Sequence, residues 1–208
     1  YNEIKNTLDK NLTYEIIFID DGSTDNSENI IKKIQEDPIV KLLINKKNEG
    51  QSYSIFKGVE SSKHDTIVTI DGDGQNDPKD IIKLLQIYNS DEKIKLVGGI
   101  RTNRKDSLIK KISSLIANKI RNFVLKDSCN DTGCALKVFS KKVFIKFNFF
   151  DGIHRFLPAL YNGAKYQCKY ISVNHRYRTK GISKYGISNR LFKGIYDMIR
   201  VKKIIKNL

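Results

Sequence analysis

The sequence predicts an α/β protein with a mostly parallel central sheet and flanking helices. Three observations carry this. Strand-like apolar runs alternate with helix-like segments through the first half of the chain, the order that builds parallel sheets. Runs such as "IIFI" at 16–19 are continuous rather than alternating, as in strands covered on both faces. Two of the runs end abruptly in acids, Asp20-Asp21 and Asp71-Gly72-Asp73. Parallel strands gather their carboxyl ends on one edge, and ligands bind there.

The elements follow in order. "YEIIFIDDGSTDNSENIIKKIQ" reads as strand, turn and helix, with Ser23, Thr24 or Asp25 placed to cap the helix. "VKLLIN" at 40–45 is a second strand. "KNEGQSYSIFKGVESS" is a helix started by glycine, with small residues at Ser54 and Gly58. "DTIVTIDGDGQ" is a third strand, "PKDIIKLLQIY" a helix with Pro78 near its first turn, and "IKLVGGIR" a fourth strand. In the less regular second half, "SLIKKISSLIANKIRNFVLK" places Leu108, Ile112, Leu115, Ile116, Ile120, Phe123 and Val124 at helical spacing. Residues 188–208 repeat the idea as a basic amphipathic C-terminal helix. Apolar residues so spaced ordinarily face the protein's own core. Flanking Lys and Arg make a membrane surface the alternative, and the C-terminal helix is expected to take it. Without repeats, linkers or low-complexity tracts, residues 1–208 read as one domain.

Composition sets the bounds. The 208 residues are 39% apolar and 29% charged, the balance of a globular protein. No apolar run reaches the ~20 residues that span a bilayer. Cys129, Cys134 and Cys168 form neither a disulfide framework nor a CxxC pair, and His64, His154 and His175 lack zinc-ligand spacing. The formal net charge is +15, and from Arg176 to Leu208 ten Lys or Arg face one acid, Asp197. Such a chain meets an anionic partner: phosphates, a membrane surface or nucleic acid.

Against that charge, "DGDGQNDPKD" at 71–80 is anomalous. An EF-hand would need Gly where Asn76 stands and Glu where Ile82 stands. A dinucleotide site would need GxGxxG after the first strand, and none occurs. An ordinary turn explains the residue types but not their setting. A divalent cation bridging a nucleoside diphosphate explains both. Such a cation takes one or two carboxylates plus phosphate oxygens. Asp71 and Asp73, two apart, point alike, and Gln75 adds a neutral oxygen.

Taken together, "YNE", "IFIDDGSTDNS", "NEGQ", "DTIVTIDGDGQNDP", "DTGCALKVF" and "HRYRTKGISKYG" resemble, in this order, the inverting family 2 glycosyltransferases of GT-A fold. The likeness is greatest to dolichol- and polyprenyl-phosphate sugar transferases, and runs from Tyr1 to about Met198. Departures are Ser54 where Ala is usual, and Cys134-Ala135 near the usual Ser-Gly-Phe. The QxxRW motif of processive polysaccharide synthases is missing. The family's first strand would precede Tyr1, so it is expected to be missing here. The resemblance implies a single GT-A domain with its nucleotide site at the strand carboxyl ends. Tyr1, Glu3, Asp20, Asp21 and Asp71 would bind the donor nucleotide. Asp71, Asp73 and Gln75 would hold Mg²⁺ or Mn²⁺. Asp73, Asp131, Arg178 and Lys184 would serve catalysis, and Arg101, Arg104 and Ser183 the acceptor phosphate.

The implied reaction moves a sugar, with inversion, from a UDP- or GDP-sugar to a polyprenyl phosphate. Its place would be peripheral, on the cytoplasmic face of a membrane. A lipid monophosphate is already ionised and needs little general-base help. Charge neutralisation and in-line positioning are the main demands. The alternatives are transfer to a polysaccharide or other hydroxyl acceptor, and a basic nucleic-acid-binding protein. Nucleic acid is not the expected partner, because acids at its surface would repel phosphate and no RNP-type aromatic pattern is present.

Overall fold

Runs of Ile, Val and Leu form strands where their β-branched side chains can pack on both faces. The computed structural model describes residues 1–102, 108–177 and 188–208, without the side chains of 108–114 and 188–193. Its elements are α1 (Asn2–Thr7), β1 (Ile16–Asp20), α2 (Ser27–Ile34), β2 (Val40–Ile44), α3 (Gln51–Ser61), β3 (Thr66–Thr69), α4 (Asp80–Asn89), β4 (Ile94–Arg101), α5 (Leu108–Leu125), β5 (Lys137–Ser140), α6 (Lys141–Phe144), α7 (Ile153–Gly163), β6 (Gln167–Val173) and α8 (Ser188–Lys206). The four strands expected from sequence are β1 to β4. β5, β6 and α7 are additional: β5 carries a lysine, β6 alternates polar and apolar residues, and α7 encloses Pro158. The fold is α/β, and of the strand pairs with resolved register two are parallel and one antiparallel.

The chain divides into two compact units. The smaller spans Leu8–Ile67 and Ser140–His154. Here β1 and β2 pair in parallel, from Ile16 opposite Val40 to Asp20 opposite Ile44. Helix α3 packs on β1 at Gly58, where a Cβ would fall 2.5 Å from Ile19 Cδ1. A small residue there lets α3 lie close on β1, and a larger one would have to move the end of the Ile19 side chain. Phe56 closes the aromatic core, its ring 5.9 Å from that of Phe144 and 5.1 Å from that of Phe149. Helix α2 begins at Ser27, and of Ser23, Thr24 and Asp25 it is Asp25 that bonds its first N–H. Asn26 is the N-cap, without a side-chain bond. Asp20 accepts from Ser23 N at 2.7 Å within the turn, and Asp25, one residue before the N-cap, accepts from Ser27 N, the first N–H of α2, at 3.0 Å.

The larger unit comprises Tyr1–Thr7, Val68–Phe139 and Arg155–Leu208. Its sheet runs in the order β3-β5-β4-β6, with β4 parallel to β6 and antiparallel to β5. Leu84, Leu96, Leu136, Val138, Phe139, Leu160 and Tyr161 are wholly buried. The rings of Phe139 and Tyr161 meet edge to face at 6.2 Å.

Helix α5 corrects one expectation. Leu115, Ile116, Ile120 and Phe123 do not face the core; they are exposed, Phe123 by 86%. The buried face carries Arg121 and Leu125 instead. Arg121 pairs with buried Asp127, Nε to Oδ2 at 2.9 Å, and its Nη1 donates to Thr132 Oγ1 at 2.8 Å. A buried charge left without its partner is costly, so this pair fixes the rotation of α5 and turns the apolar stripe outward. Among the described residues, no helix is long and apolar enough to cross a membrane.

Candidate active site

In the smaller unit the turn after β1 carries Asp20 and Asp21. Asp20 is buried and accepts from Ser23 N. Asp21 gathers more donors. Its Oδ1 accepts from Asn45 Nδ2 at 2.9 Å and Glu49 N at 2.8 Å, and its Oδ2 from Gly50 N at 2.9 Å. Burial alone would raise its pKa, but these bonds hold the carboxyl below its ordinary value. Asp21 therefore ties the loop after β2 and the start of α3 to the end of β1.

In the larger unit β3 leads into the acidic loop. Thr69 Oγ1 donates to Ala135 O at 2.7 Å and fixes the strand end. Asp73 Oδ1 accepts from Gln75 N at 3.0 Å across Gly74, whose φ of +74° suits glycine. Asp71 lies exposed on the same turn. Hard, solvent-reachable carboxylate oxygens two residues apart suit Mg²⁺ or Mn²⁺. No group of three or more His, Cys, Asp or Glu converges among the described residues. That is consistent with a cation that draws its other ligands from phosphate.

Asp77 and Asp80 follow on the same loop and are tied elsewhere. Asp77 Oδ1 accepts from Lys79 N at 3.0 Å and from Arg176 Nη2 at 2.8 Å. Burial acts to raise its pKa, yet these two donors hold it low. Asp80, fully buried, binds Lys83 Nζ and Asn174 N, both at 2.7 Å. Arg176 also reaches Glu3 Oε2 at 2.6 Å. Glu3 is thus engaged by the residue that grips Asp77. Tyr1 stacks under the Lys5 ammonium at 5.4 Å.

Asp131 and Arg101, expected separately near the acceptor, form one unit. Arg101 Nε and Nη2 meet the two Asp131 oxygens at 2.8 and 2.7 Å, and Arg101 N adds a third bond at 3.1 Å. This bidentate fork is close-fitted: a Cβ on Gly133 would sit 2.9 Å from Arg101 Nη2. Lys137, on β5, is buried beneath the same loop, its Nζ donating to Thr132 O at 3.3 Å and to Cys134 O. Burial lowers its pKa. Sequence reasoning assigned no role to Lys137 or Arg176. A lone lysine inside the apolar run "ALKVF" was the available signal for the first. For the second it was the arginine just ahead of Arg178 in "HRYR".

Burial pushes the Cys129 thiol up to about 11 and the Cys168 thiol to about 12. Such thiols are poor nucleophiles at neutral pH. Arg104, Arg178, Ser183 and Lys184 lie outside the described residues. The structure therefore places Asp71, Asp73 and Gln75 on one turn and joins Arg101 to Asp131. It puts Asp20 and Asp21 in the other unit.

Comparison with known proteins adds to this. The chain matches the family model Glycosyl transferase family 2 over residues 1–147. It is 34% identical over 189 residues to the undecaprenyl-phosphate 4-deoxy-4-formamido-L-arabinose transferase of Shewanella sediminis, covering 89% of this chain and 56% of that protein. It is 34% identical over 193 residues to the dodecaprenyl-phosphate galacturonate synthase of Rhizobium johnstonii, covering 90% and 56%. The chain thus spans a little over half the length of these curated relatives. A solved structure of glucosyl-3-phosphoglycerate synthase from Mycobacterium tuberculosis, in complex with Mn²⁺, UDP-glucose and phosphoglyceric acid, superimposes with a TM-score of 0.74 at 15% identity. The match covers 97% of this chain and 73% of that one, and it shows a GT-A-like fold.

Proposed function

We propose, for a chain that belongs to glycosyltransferase family 2, that it transfers a sugar from a nucleoside-diphosphate sugar to a polyprenyl phosphate. The observation that carries this is the Asp71–Gln75 turn: two carboxylates and an amide in the oxygen pattern of a diphosphate-bound cation. The relatives named for undecaprenyl- and dodecaprenyl-phosphate products support the acceptor class. The solved relative with Mn²⁺ and UDP-glucose supports a cation and favours UDP over GDP.

In this reading a phosphate oxygen of the acceptor attacks the anomeric carbon. The bond from that carbon to the donor diphosphate breaks, and the configuration inverts. The acceptor is already ionised, so no residue needs to remove a proton. Asp71, Asp73 and Gln75 would hold Mg²⁺ or Mn²⁺, which when bound neutralises charge on the leaving diphosphate. Asp20 and Asp21 are the acids proposed to serve the nucleotide from the smaller unit, with Asp21 acting by shaping its turn, and Tyr1 and Glu3 are proposed for the same role from the larger. Arg101 positions Asp131 beside the acceptor. Arg104, Arg178, Ser183 and Lys184, which lie outside the described residues, are the groups proposed to serve the phosphates.

The acceptor's chain must be met at a lipid surface. The exposed faces of α5 and α8 suit it. Leu115, Ile116, Ile120, Phe123, Ile195, Tyr196 and Ile199 are exposed, and among the described side chains of these helices the exposed charges are Lys119, Arg200, Lys202, Lys203 and Lys206. Asp197, the one acid of the two helices, is buried against Arg155 at 2.9 Å. Apolar residues flanked by basic ones favour an anionic interface, here the cytoplasmic leaflet.

Calorimetry tests the donor site. UDP or GDP with Mn²⁺ is titrated into the wild type and Asp73→Ala. Metal-dependent binding of one nucleotide, weakened about 100-fold or more in the variant, is expected. Absence of binding by either nucleotide in a folded wild type would overturn the reading. Flotation with phosphatidylglycerol vesicles tests the surface. Phe123→Ser should reduce recovery severalfold at unchanged melting temperature, since Phe123 is almost fully exposed. Equal recovery would remove α5 from the interface.

A further inference from the structure

The segment that leaves β6 is bolted along the acidic loop. Asn174 N donates to Asp80, His175 bridges Asn76 in antiparallel fashion, and Arg176 N donates to Gln75 O at 2.8 Å. Gln75 Nε2 returns a long bond of 3.4 Å to Arg176 O. An amide that donates from its nitrogen turns its oxygen the other way. The guanidinium then adds charge to the seam: Nη2 to Asp77 at 2.8 Å and Nη1 to Glu3 at 2.6 Å. Both hydrogen bonds to these acids raise the Arg176 pKa, so its charge is secure.

Four aspartates crowd residues 71–80, and Glu3 adds a fifth carboxylate. As they stand, no three of these acids converge among the described residues: Asp80 is buried on Lys83 and Asn174, and Arg176 ties Asp77 and Glu3, the two that its loss would release. Only one geometry can serve a diphosphate. We propose that Arg176 is a positioning residue for the cation site: its guanidinium holds Asp77 and Glu3 out of the oxygen set, while its main chain, which a substitution leaves in place, bonds Gln75. This rests on the donor-site reading above. Arg176 acts through other residues and is not itself a ligand. Its planar fork is suited to two carboxylates at once, which a lysine ammonium on one flexible stem is not.

The test uses the full chain, with Arg176→Gln, Arg176→Lys and Arg176→Gln/Asp77→Asn. Two titrations are made on each: Mn²⁺ alone, followed by electron paramagnetic resonance, and UDP with Mn²⁺, followed by calorimetry. Loss of an outer-shell partner typically costs 10–100-fold in metal affinity. Arg176→Gln should therefore bind Mn²⁺–UDP about tenfold more weakly, while binding Mn²⁺ alone more tightly through the released carboxylates. The double variant should recover most of the Mn²⁺–UDP affinity and lose the extra affinity for Mn²⁺. A general loss of structure would not be repaired by removing a second side chain. Arg176→Lys should fall between wild type and Arg176→Gln, and serves as the reporter if Arg176→Gln does not fold. Wild-type behaviour of these variants, or a double variant no better than the single one, overturns the proposal. A wild type that binds neither nucleotide while Arg176→Gln still gains Mn²⁺ affinity overturns the donor reading and leaves the sorting of carboxylates standing.

Discussion

Two strand ends of this chain look alike in sequence and differ in what they do with their acids. "IDDGS" closes β1 in the smaller unit, and "IDGDG" follows β3 in the larger. At the first, the Asp21 carboxylate collects three neutral donors from the loop that follows β2. At the second, Asp73 bonds an amide two residues along its own turn, and the long-range ties fall on Asp77 and Asp80. The difference lies in the partners, not in the acids. A carboxylate met by backbone amides from another segment becomes a staple. The second loop is tied to the fold through Asp77 and Asp80, whose partners Arg176 and Asn174 lie far along the chain.

The largest effect expected from this contrast is a reversal between two matched variants. Asp21→Asn replaces an acceptor with an amide that presents N–H to N–H. Bonds to charged groups contribute about 1.5–3 kcal/mol each, and part of the set survives. Urea unfolding should show a loss of about 2–4 kcal/mol. Asp73→Asn should change stability by less than about 1 kcal/mol. In calorimetry with Mn²⁺ and UDP the ranking inverts, Asp73→Asn losing far more affinity than Asp21→Asn. Equal stability costs at the two positions would break the comparison.

How much of this could be read beforehand follows the same division between local and distant partners. β1, β2 and β4 were legible because continuous apolar runs need no distant information, and β4 was placed to the residue. The GT-A-like fold and the family followed from motifs whose order is local to the text. The turn that carries Asp71, Asp73 and Gln75 was legible for the same reason. What escaped depends on partners far along the chain. Arg176 meets Glu3 and Asp77, and Arg101 meets Asp131, across separations that periodicity does not report. Helix α5 is the plainest case. Its apolar spacing was visible, but which way it faces is set by the buried Arg121–Asp127 pair and not by the stripe. At the start of α2 the sequence offered three caps, and the one that bonds the first helical N–H is Asp25.

A smaller effect separates the two regions by pH and salt. Asp21 and Asp77 both have folded pKa values below the ordinary carboxylate value near ~3.9. Below that value the unfolded chain binds protons that the folded one resists. Each group's contribution is therefore whole above pH ~5 and fades as pH falls through its folded value. The stability gap between wild type and Asp21→Asn should shrink as pH is lowered from 5 to about 2, and so should the gap to Asp77→Asn. Salt distinguishes them. The partners of Asp21 are an amide side chain and two backbone amides, all neutral, so its gap at pH 7 should be unchanged in ~1 M NaCl. Asp77 relies in part on the Arg176 charge, which is over one-third exposed, so its gap should narrow in the same salt. Urea unfolding of the three proteins across pH, with and without salt, reads both effects. A salt-sensitive Asp21 gap would show that the first strand end, like the second, is held by charge.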